Sequence, residues 1–248
     1  MDYKIILYVI FGVLPSLTWL SYYLRKDVHP EPRKTILKIF FWGILITVPV
    51  FFVQIGLAKL LSQFDFSPIA TALIYWFVVI SFTEEFFKYV VVRFKIYDSP
   101  DLDEPLDIML YMVVAALGFA ALENILYLFA PIDQLSFNDV VNRTLMISFV
   151  RFVGATFLHT LCSAVIGYFL AVSLCDEKNR LLEILCGMIL AVGLHGLYDF
   201  SIMMLEGPLQ MIIPIVILLI LAIFVFWGFE RLKKLRGVCI INKPVFNK

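Results

Sequence analysis

Residues 68–92 read Pro68-Ile69-Ala70-Thr71-Ala72-Leu73-Ile74-Tyr75-Trp76-Phe77-Val78-Val79-Ile80-Ser81-Phe82-Thr83-Glu84-Glu85-Phe86-Phe87-Lys88-Tyr89-Val90-Val91-Val92. The run can cross a bilayer as one helix, because about 20 residues rising 1.5 Å each span roughly 30 Å of hydrocarbon. Yet it carries two adjacent carboxylates and an ammonium. A carboxylate at the bilayer centre costs on the order of 2.5 to 3.5 kcal/mol even on the mild insertion scale. Such groups must turn away from lipid, so this stretch predicts a bundle of membrane helices around a polar interior.

Working outward, the remaining residues agree. The 248-residue chain is 62% hydrophobic and 16% charged, with a mean hydropathy of +0.93, so lipid is its solvent. Apolar runs between charged or Pro/Gly punctuation predict seven spans, at 3–24, 36–61, 68–92, 107–130, 143–174, 181–204 and 208–229. The expected fold class is an all-α polytopic transmembrane bundle. The fifth run is too long for one simple crossing, so its start near Asn142 and Arg143 predicts an interfacial or steeply tilted helix. The run 3–24 lacks a short basic leader and a small-residue cleavage site, and reads as a retained span.

Lysine and arginine set the orientation. The first connection carries Arg25, Lys26, Arg33, Lys34 and Lys38; the third, Arg93 and Lys95; the fifth, Lys178 and Arg180; the tail, Arg231, Lys233, Lys234 and Arg236. The other connections are nearly free of them. This places the N-terminus outside and the C-terminus in the cytoplasm. One membrane domain over 1–248 is expected, with 230–248 a short basic tail at the cytoplasmic surface. Net charge is zero and the basic residues form short clusters between spans, which gives no nucleic-acid partner. Four widely spaced cysteines argue against a disulfide framework and a thiolate metal site.

Glu84, Glu85, Glu123 and Asp199 all fall within spans. Lys88, one turn beyond Glu84, predicts a local ion pair. Two carboxylates so close in a poorly hydrated site do not both ionise readily, which supplies an acid and a base together. Glu123 and Asn124 follow Gly118-Phe119-Ala120-Ala121-Leu122, whose small residues admit a second helix; interhelical hydrogen bonding is their structural alternative. Two of the three histidines, His159 and His195, also lie deep in spans. Asp199, one turn beyond His195, can hold that imidazole in one tautomer. Arg143 and Arg151, near the outer end of the fifth span, read as snorkelling to the interface.

Depth tests whether these residues share a site. Counting from the cytoplasmic ends, His159, His195 and Glu123 lie at ~21 to 24 Å and the Glu84/Glu85 pair at ~12 to 20 Å. A modest tilt closes the difference. The shared level is the middle-to-outer half of the membrane, so the site should open toward the exterior.

With these residues assembled, the chain resembles the PrsW family of intramembrane proteases, within the wider group that includes the prenyl-protein (CAAX) endopeptidases. The resemblance covers roughly residues 20–205: Asp27-Val28-His29-Pro30-Glu31-Pro32, Glu84-Glu85-x-x-Lys88, Glu104 to Asp107, Gly118 to Asn124, His159 with Gly167-Tyr168, and His195-x-x-x-Asp199. Lys88 and Asp199 stand where prenyl-protein endopeptidases usually carry arginine and often asparagine, which sets the chain nearer PrsW. The resemblance implies a bacterial plasma-membrane enzyme that cleaves a single-pass, membrane-anchored regulatory protein, typically an anti-sigma factor, near the extracytoplasmic side.

The paired acids predict a water deprotonated by Glu84 or Glu85, with His159 or His195 stabilising the oxyanion or protonating the leaving amine. Glu123, Asn124, Lys88 and Asp199 would support them. A zinc peptidase uses the same residue types, with Glu85, His159 and His195 as ligands. Without a His-Glu-x-x-His motif, and with adjacent glutamates about 100° apart on a helix, the metal-free form is preferred and no cofactor is expected. The rival from another class is a proton or cation transporter, disfavoured by the lack of an inverted repeat. A catalytically inactive scaffold is a third reading.

Overall fold

The computed structural model describes residues 3–26, 29–130, 136–176 and 178–235. Among the described residues there is no strand, and seven apolar rods are long enough to cross a membrane. They comprise α1 (Tyr3–Leu24), α2 (Arg33–Leu61), a third rod (Pro68–Lys95), α5 (Pro105–Leu128), a fifth run (Phe137–Cys175), α8 (Arg180–Met204) and α9 (Leu209–Leu235). The third rod joins α3 (Pro68–Ile74), a π-helical segment (Tyr75–Phe82) and α4 (Thr83–Lys95). Most of the predicted tail, 236–248, lies outside the described residues, as do Asp27 and Val28.

The fifth run is two helices. α6 (Phe137–Val153) and α7 (Ala155–Cys175) meet at Gly154, whose φ of −96° and ψ of −93° interrupt the helix. A Cβ at Gly154 would sit 2.6 Å from the hydroxyl oxygen of Tyr198 on α8, so the bend is made where only glycine fits. The 39 residues of this run would extend nearly twice the hydrocarbon thickness if straight, which is why it breaks.

α5 is the axis of the bundle. Of its most apolar stretch 94% is buried, and 83% of that of α6–α7, against 22–33% for the other spans. A helix apolar on all sides belongs inside, whereas α1, α2, α8 and α9 turn residues such as Phe52 and Ile223 outward, as lipid-facing helices do. Glycine permits the closest crossings. A Cβ on Gly118 would lie 2.0 Å from the carbonyl oxygen of Phe40, and one on Gly43 2.2 Å from that of Ala115, so α2 and α5 touch backbone to backbone.

One end of the bundle is tied by acids. Pro105 opens α5, and Asp107 accepts from the backbone N–H groups of Glu104 (2.6 Å) and Asp103 (3.1 Å). Tyr111 donates to Glu31, and Thr35 to Asp101 at 2.6 Å, which joins the start of α2 to the start of α5. At the same end Cys175 is disulfide-bonded, which the cysteine spacing does not predict because spacing reports only on local motifs.

Candidate active site

The π-helical segment prepares the acids. Its wider turn is visible in Ser81, whose hydroxyl donates to the carbonyl of Trp76 five residues back (2.7 Å), while Thr83, where the α-helix resumes, donates to Val79 (2.6 Å) and Ile80 (2.9 Å), four and three residues back. The added width rotates everything downstream, so Thr83, Glu84, Glu85 and Lys88 are all buried. π segments interrupt helices mostly at functional sites. The segment also packs closely on α8, where a Cβ on Gly196 would meet the Phe77 ring at 2.8 Å, and this close approach brings His195 to the glutamates.

The two adjacent glutamates occupy different environments. Glu85 is fully partnered: its Oε1 accepts from Lys88 Nζ (2.8 Å) and His195 Nδ1 (2.9 Å), and its Oε2 from Ser163 Oγ (2.9 Å). Glu84 accepts from Gln54 Nε2 on Oε1 (3.1 Å), while its Oε2 is buried with no hydrogen-bond partner. That oxygen is 3.8 Å from Nδ1 of His159, 3.9 Å from Nε2 of His195 and 3.7 Å from Lys88 Nζ. The predicted Glu84–Lys88 ion pair is thus the looser one, with Glu85 nearer the ammonium.

Each histidine is oriented by a carboxylate behind it. The His159 Nε2 group lies 2.7 Å from Glu123 Oε2 and its Nδ1 2.9 Å from Lys88 Nζ. An ammonium only donates, so Nδ1 is the acceptor and Nε2–H donates to Glu123. His195 uses the opposite nitrogen: Nδ1–H donates to Glu85, while Nε2 lies 3.4 Å from Asp199 Oδ2. In consequence Nδ1 of His159 and Nε2 of His195 both turn toward Glu84. The imidazole centroids are 5.1 Å apart.

A cavity of about 560 Å³ meets this cluster. Glu84, Glu123, His159, His195 and Asp199 line it, whereas Glu85 and Lys88 lie behind its wall. It extends past Tyr127 and Ala130 at the end of α5 and Met203 at the end of α8, away from the acid-tied end of the bundle. All the sequence-derived site residues are therefore brought together from the third, fourth, fifth and sixth spans. Asn124, which donates to the Gly12 carbonyl (3.2 Å) and Thr156 Oγ1 (3.0 Å), flanks them from α5.

Three participants escaped the sequence reading. Gln54 and Ser163 are single polar residues in apolar spans and carry no motif; their only signal is depth. Arg151, read as snorkelling, turns inward, its guanidinium 2.7 Å from Glu123 Oε2 and 2.5 Å from Asn124 Oδ1.

The donor set fits a metal ion. Glu84, His159 and His195 each offer a ligand atom within 4.8 Å of the others, and Glu84 Oε2 is an orphaned buried oxygen. Two imidazoles and a carboxylate, each histidine backed by a second carboxylate, are an ordinary zinc set. The grouped glutamate is Glu84, where the sequence reading had chosen Glu85 as the ligand. Lys88 Nζ, donating to Nδ1 of His159, would have to withdraw from that nitrogen for it to ligate.

Residues 31–228 match the family described as PrsW family intramembrane metalloprotease. The chain is 33% identical to Protease PrsW of Geobacillus kaustophilus over 79% of each chain. Protease PrsW of Oceanobacillus iheyensis is 30% identical over 93% of this chain and 97% of its own, and that of Bacillus subtilis 27% over 92% and 94%. No solved structure matches. A bundle of membrane helices with buried glutamates and histidines at one cavity, matched in sequence along most of its length, belongs to the PrsW family of intramembrane proteases.

Proposed function

We propose that this chain hydrolyses a peptide bond in a single-pass, membrane-anchored regulatory protein, such as an anti-sigma factor, near the extracytoplasmic face of a bacterial plasma membrane. The observation that carries the reading is Glu84 Oε2, a buried carboxylate oxygen without a partner, on the cavity wall between two imidazole nitrogens. The cavity extends to the bundle end that the lysine and arginine distribution makes exterior.

Glu84 accepts a proton from the water that attacks the scissile carbonyl, since its Oε2 is the one oxygen of the glutamate pair free to do so. His195 borders the same cavity and protonates the leaving amine, its ring held by Glu85 and Asp199. His159 faces the same point and aligns the site through its two bonds, Nε2–H to Glu123 and Nδ1 from Lys88. Glu85 and Lys88 act from behind: Glu85 fixes His195, and Lys88 fixes His159. The polar cavity lowers the cost of unwinding the substrate helix, whose carbonyls are otherwise bonded internally. A zinc ion held by Glu84, His159 and His195 would supply Lewis acidity toward the carbonyl and a more acidic water.

The test is purified protein in proteoliposomes with candidate single-pass proteins, and mass spectrometry of the products. Cleavage near the extracytoplasmic end, lost in Glu84→Gln and His195→Ala, supports the reading; full proteolysis by both variants overturns it.

A further inference from the structure

Among the described residues Arg151 is the one arginine that reaches the site, and it does so from the far side of the α6–α7 break. Its side chain is only 11% exposed. The guanidinium grips three residues of α5 at once: Nη2 donates to Glu123 Oε2 (2.7 Å), Nε donates to Asn124 Oδ1 (2.5 Å), and its face lies 3.9 Å from the Tyr127 ring centroid. Asn124 cannot flip away, because its amide nitrogen is engaged by Gly12 and Thr156. The planar fork meets both acceptors in a fixed geometry, which a single ammonium cannot copy.

Glu123 Oε2 is also the acceptor for Nε2–H of His159, at 2.7 Å. One carboxylate oxygen thus receives Arg151 from α6 and His159 from α7, helices that diverge at Gly154, three residues after Arg151. Were Glu123 free to turn, Nε2–H of His159 would lose its acceptor, and the ring would be held by Lys88 at Nδ1 alone, free to swing away from Glu84. We propose that Arg151 is a positioning residue for the peptidase reaction: it pins Glu123 so that His159, held by Glu123 at Nε2 and by Lys88 at Nδ1, keeps its ring in place beside Glu84. The inference rests on the reading of His159 and Glu84 as the reacting pair's surroundings.

The experiment compares wild type, Arg151→Lys, Arg151→Met, Glu123→Gln and the Arg151→Met/Glu123→Gln double variant in proteoliposomes. Loss of an orienting group behind a histidine costs about 10- to 100-fold. Arg151→Met should lower kcat by about that factor with KM little changed. Arg151→Lys should recover only part of the loss, and the double variant should be no slower than Glu123→Gln alone. In parallel, nitrogen-15 NMR of labelled histidine, assigned with His159→Asn, should show the Nε2 resonance of His159 shifted in Arg151→Met relative to wild type, because its carboxylate acceptor is no longer held in place. An unchanged His159 Nε2 resonance, or a fall in folded protein with unchanged kcat per folded molecule, overturns the proposal. Failure of the parent reading looks different: His159→Ala would then cleave like wild type, while the NMR comparison would still decide what Arg151 does.

Discussion

The ammonium of Lys88 lies 2.9 Å from Nδ1 of His159 and 2.8 Å from Oε1 of Glu85, and it is fully buried against the Phe119 ring. It therefore links the third span to the fifth inside the bundle. Removing it leaves Glu85 as a buried anion short of one partner, and breaking a buried pair in this way costs about 3 to 5 kcal/mol. Lys88→Met should lower the unfolding temperature in detergent and abolish cleavage. Glu85→Gln/Lys88→Met should regain much of the lost stability with no return of activity, because neither an unpaired charge nor an oriented His195 remains. Thermal unfolding followed by circular dichroism, alongside a cleavage assay, checks both.

How much of the protein was legible in the chain differs by level. The seven spans follow from apolar runs because lipid demands them, and the structure returns them with ends moved by a few residues. Convergence of Glu84, Glu85, Glu123, His159 and His195 followed from comparing depths, which fixes height in the membrane but not the direction a side chain faces around its helix. Direction is where the reading stopped. Within the α-helix Thr83–Lys95 the residues three and four positions before Lys88 both share its face, so spacing alone does not decide that Glu85, at 2.8 Å, is nearer the ammonium than Glu84, at 3.7 Å. For the same reason Arg151 looked like an interfacial side chain: its placement depends on the bend at Gly154, and a glycine in an apolar run does not announce a break.

Close helix crossings make a second, independent expectation. Gly118 and Gly43 each face a backbone carbonyl of the opposing helix across a distance no Cβ can occupy, whereas Gly56 and Gly193 have nothing within 4 Å of an added Cβ. Gly118→Ala should push α2 and α5 apart and destabilise the bundle by about 1 to 3 kcal/mol, with loss of cleavage because α5 carries Glu123. Gly56→Ala should be neutral or stabilising by about 0.5 to 1 kcal/mol, since it removes only backbone freedom in a helix. Unfolding temperatures of the two variants decide the comparison.

Orientation is testable through the connections. Lys178 and Arg180 mark the α7–α8 connection as cytoplasmic, which puts the α2–α3 connection around Asp65 outside. Alkaline phosphatase, active only when exported, should be active when fused after Asp65 and inactive when fused after Lys178. The reverse pattern would turn the cavity mouth toward the cytoplasm and exclude cleavage at the extracytoplasmic side.

The sharpest expectation separates Glu84 from Glu85. Both glutamine variants should lose proteolysis, by about 100-fold or more for Glu84, the proton-transferring group, and by about 10- to 100-fold for Glu85, which orients His195. Their stabilities should differ, because Glu84 Oε2 has no hydrogen bond to lose, whereas Glu85 accepts from Lys88, His195 and Ser163. Glu84→Gln should unfold near the wild-type temperature and Glu85→Gln well below it. Metal content divides the same pair. If zinc takes part, Glu84→Gln, His159→Ala and His195→Ala should each purify with less of it than wild type, and a chelator should remove metal and activity together. If the site works without metal, all of these proteins should contain only background zinc, and cleavage by the wild type should survive the chelator. Elemental analysis of wild type and the four variants, read beside their unfolding temperatures, therefore assigns the two adjacent acids separate tasks: Glu84 at the reacting atoms, and Glu85 in the scaffold that aims His195.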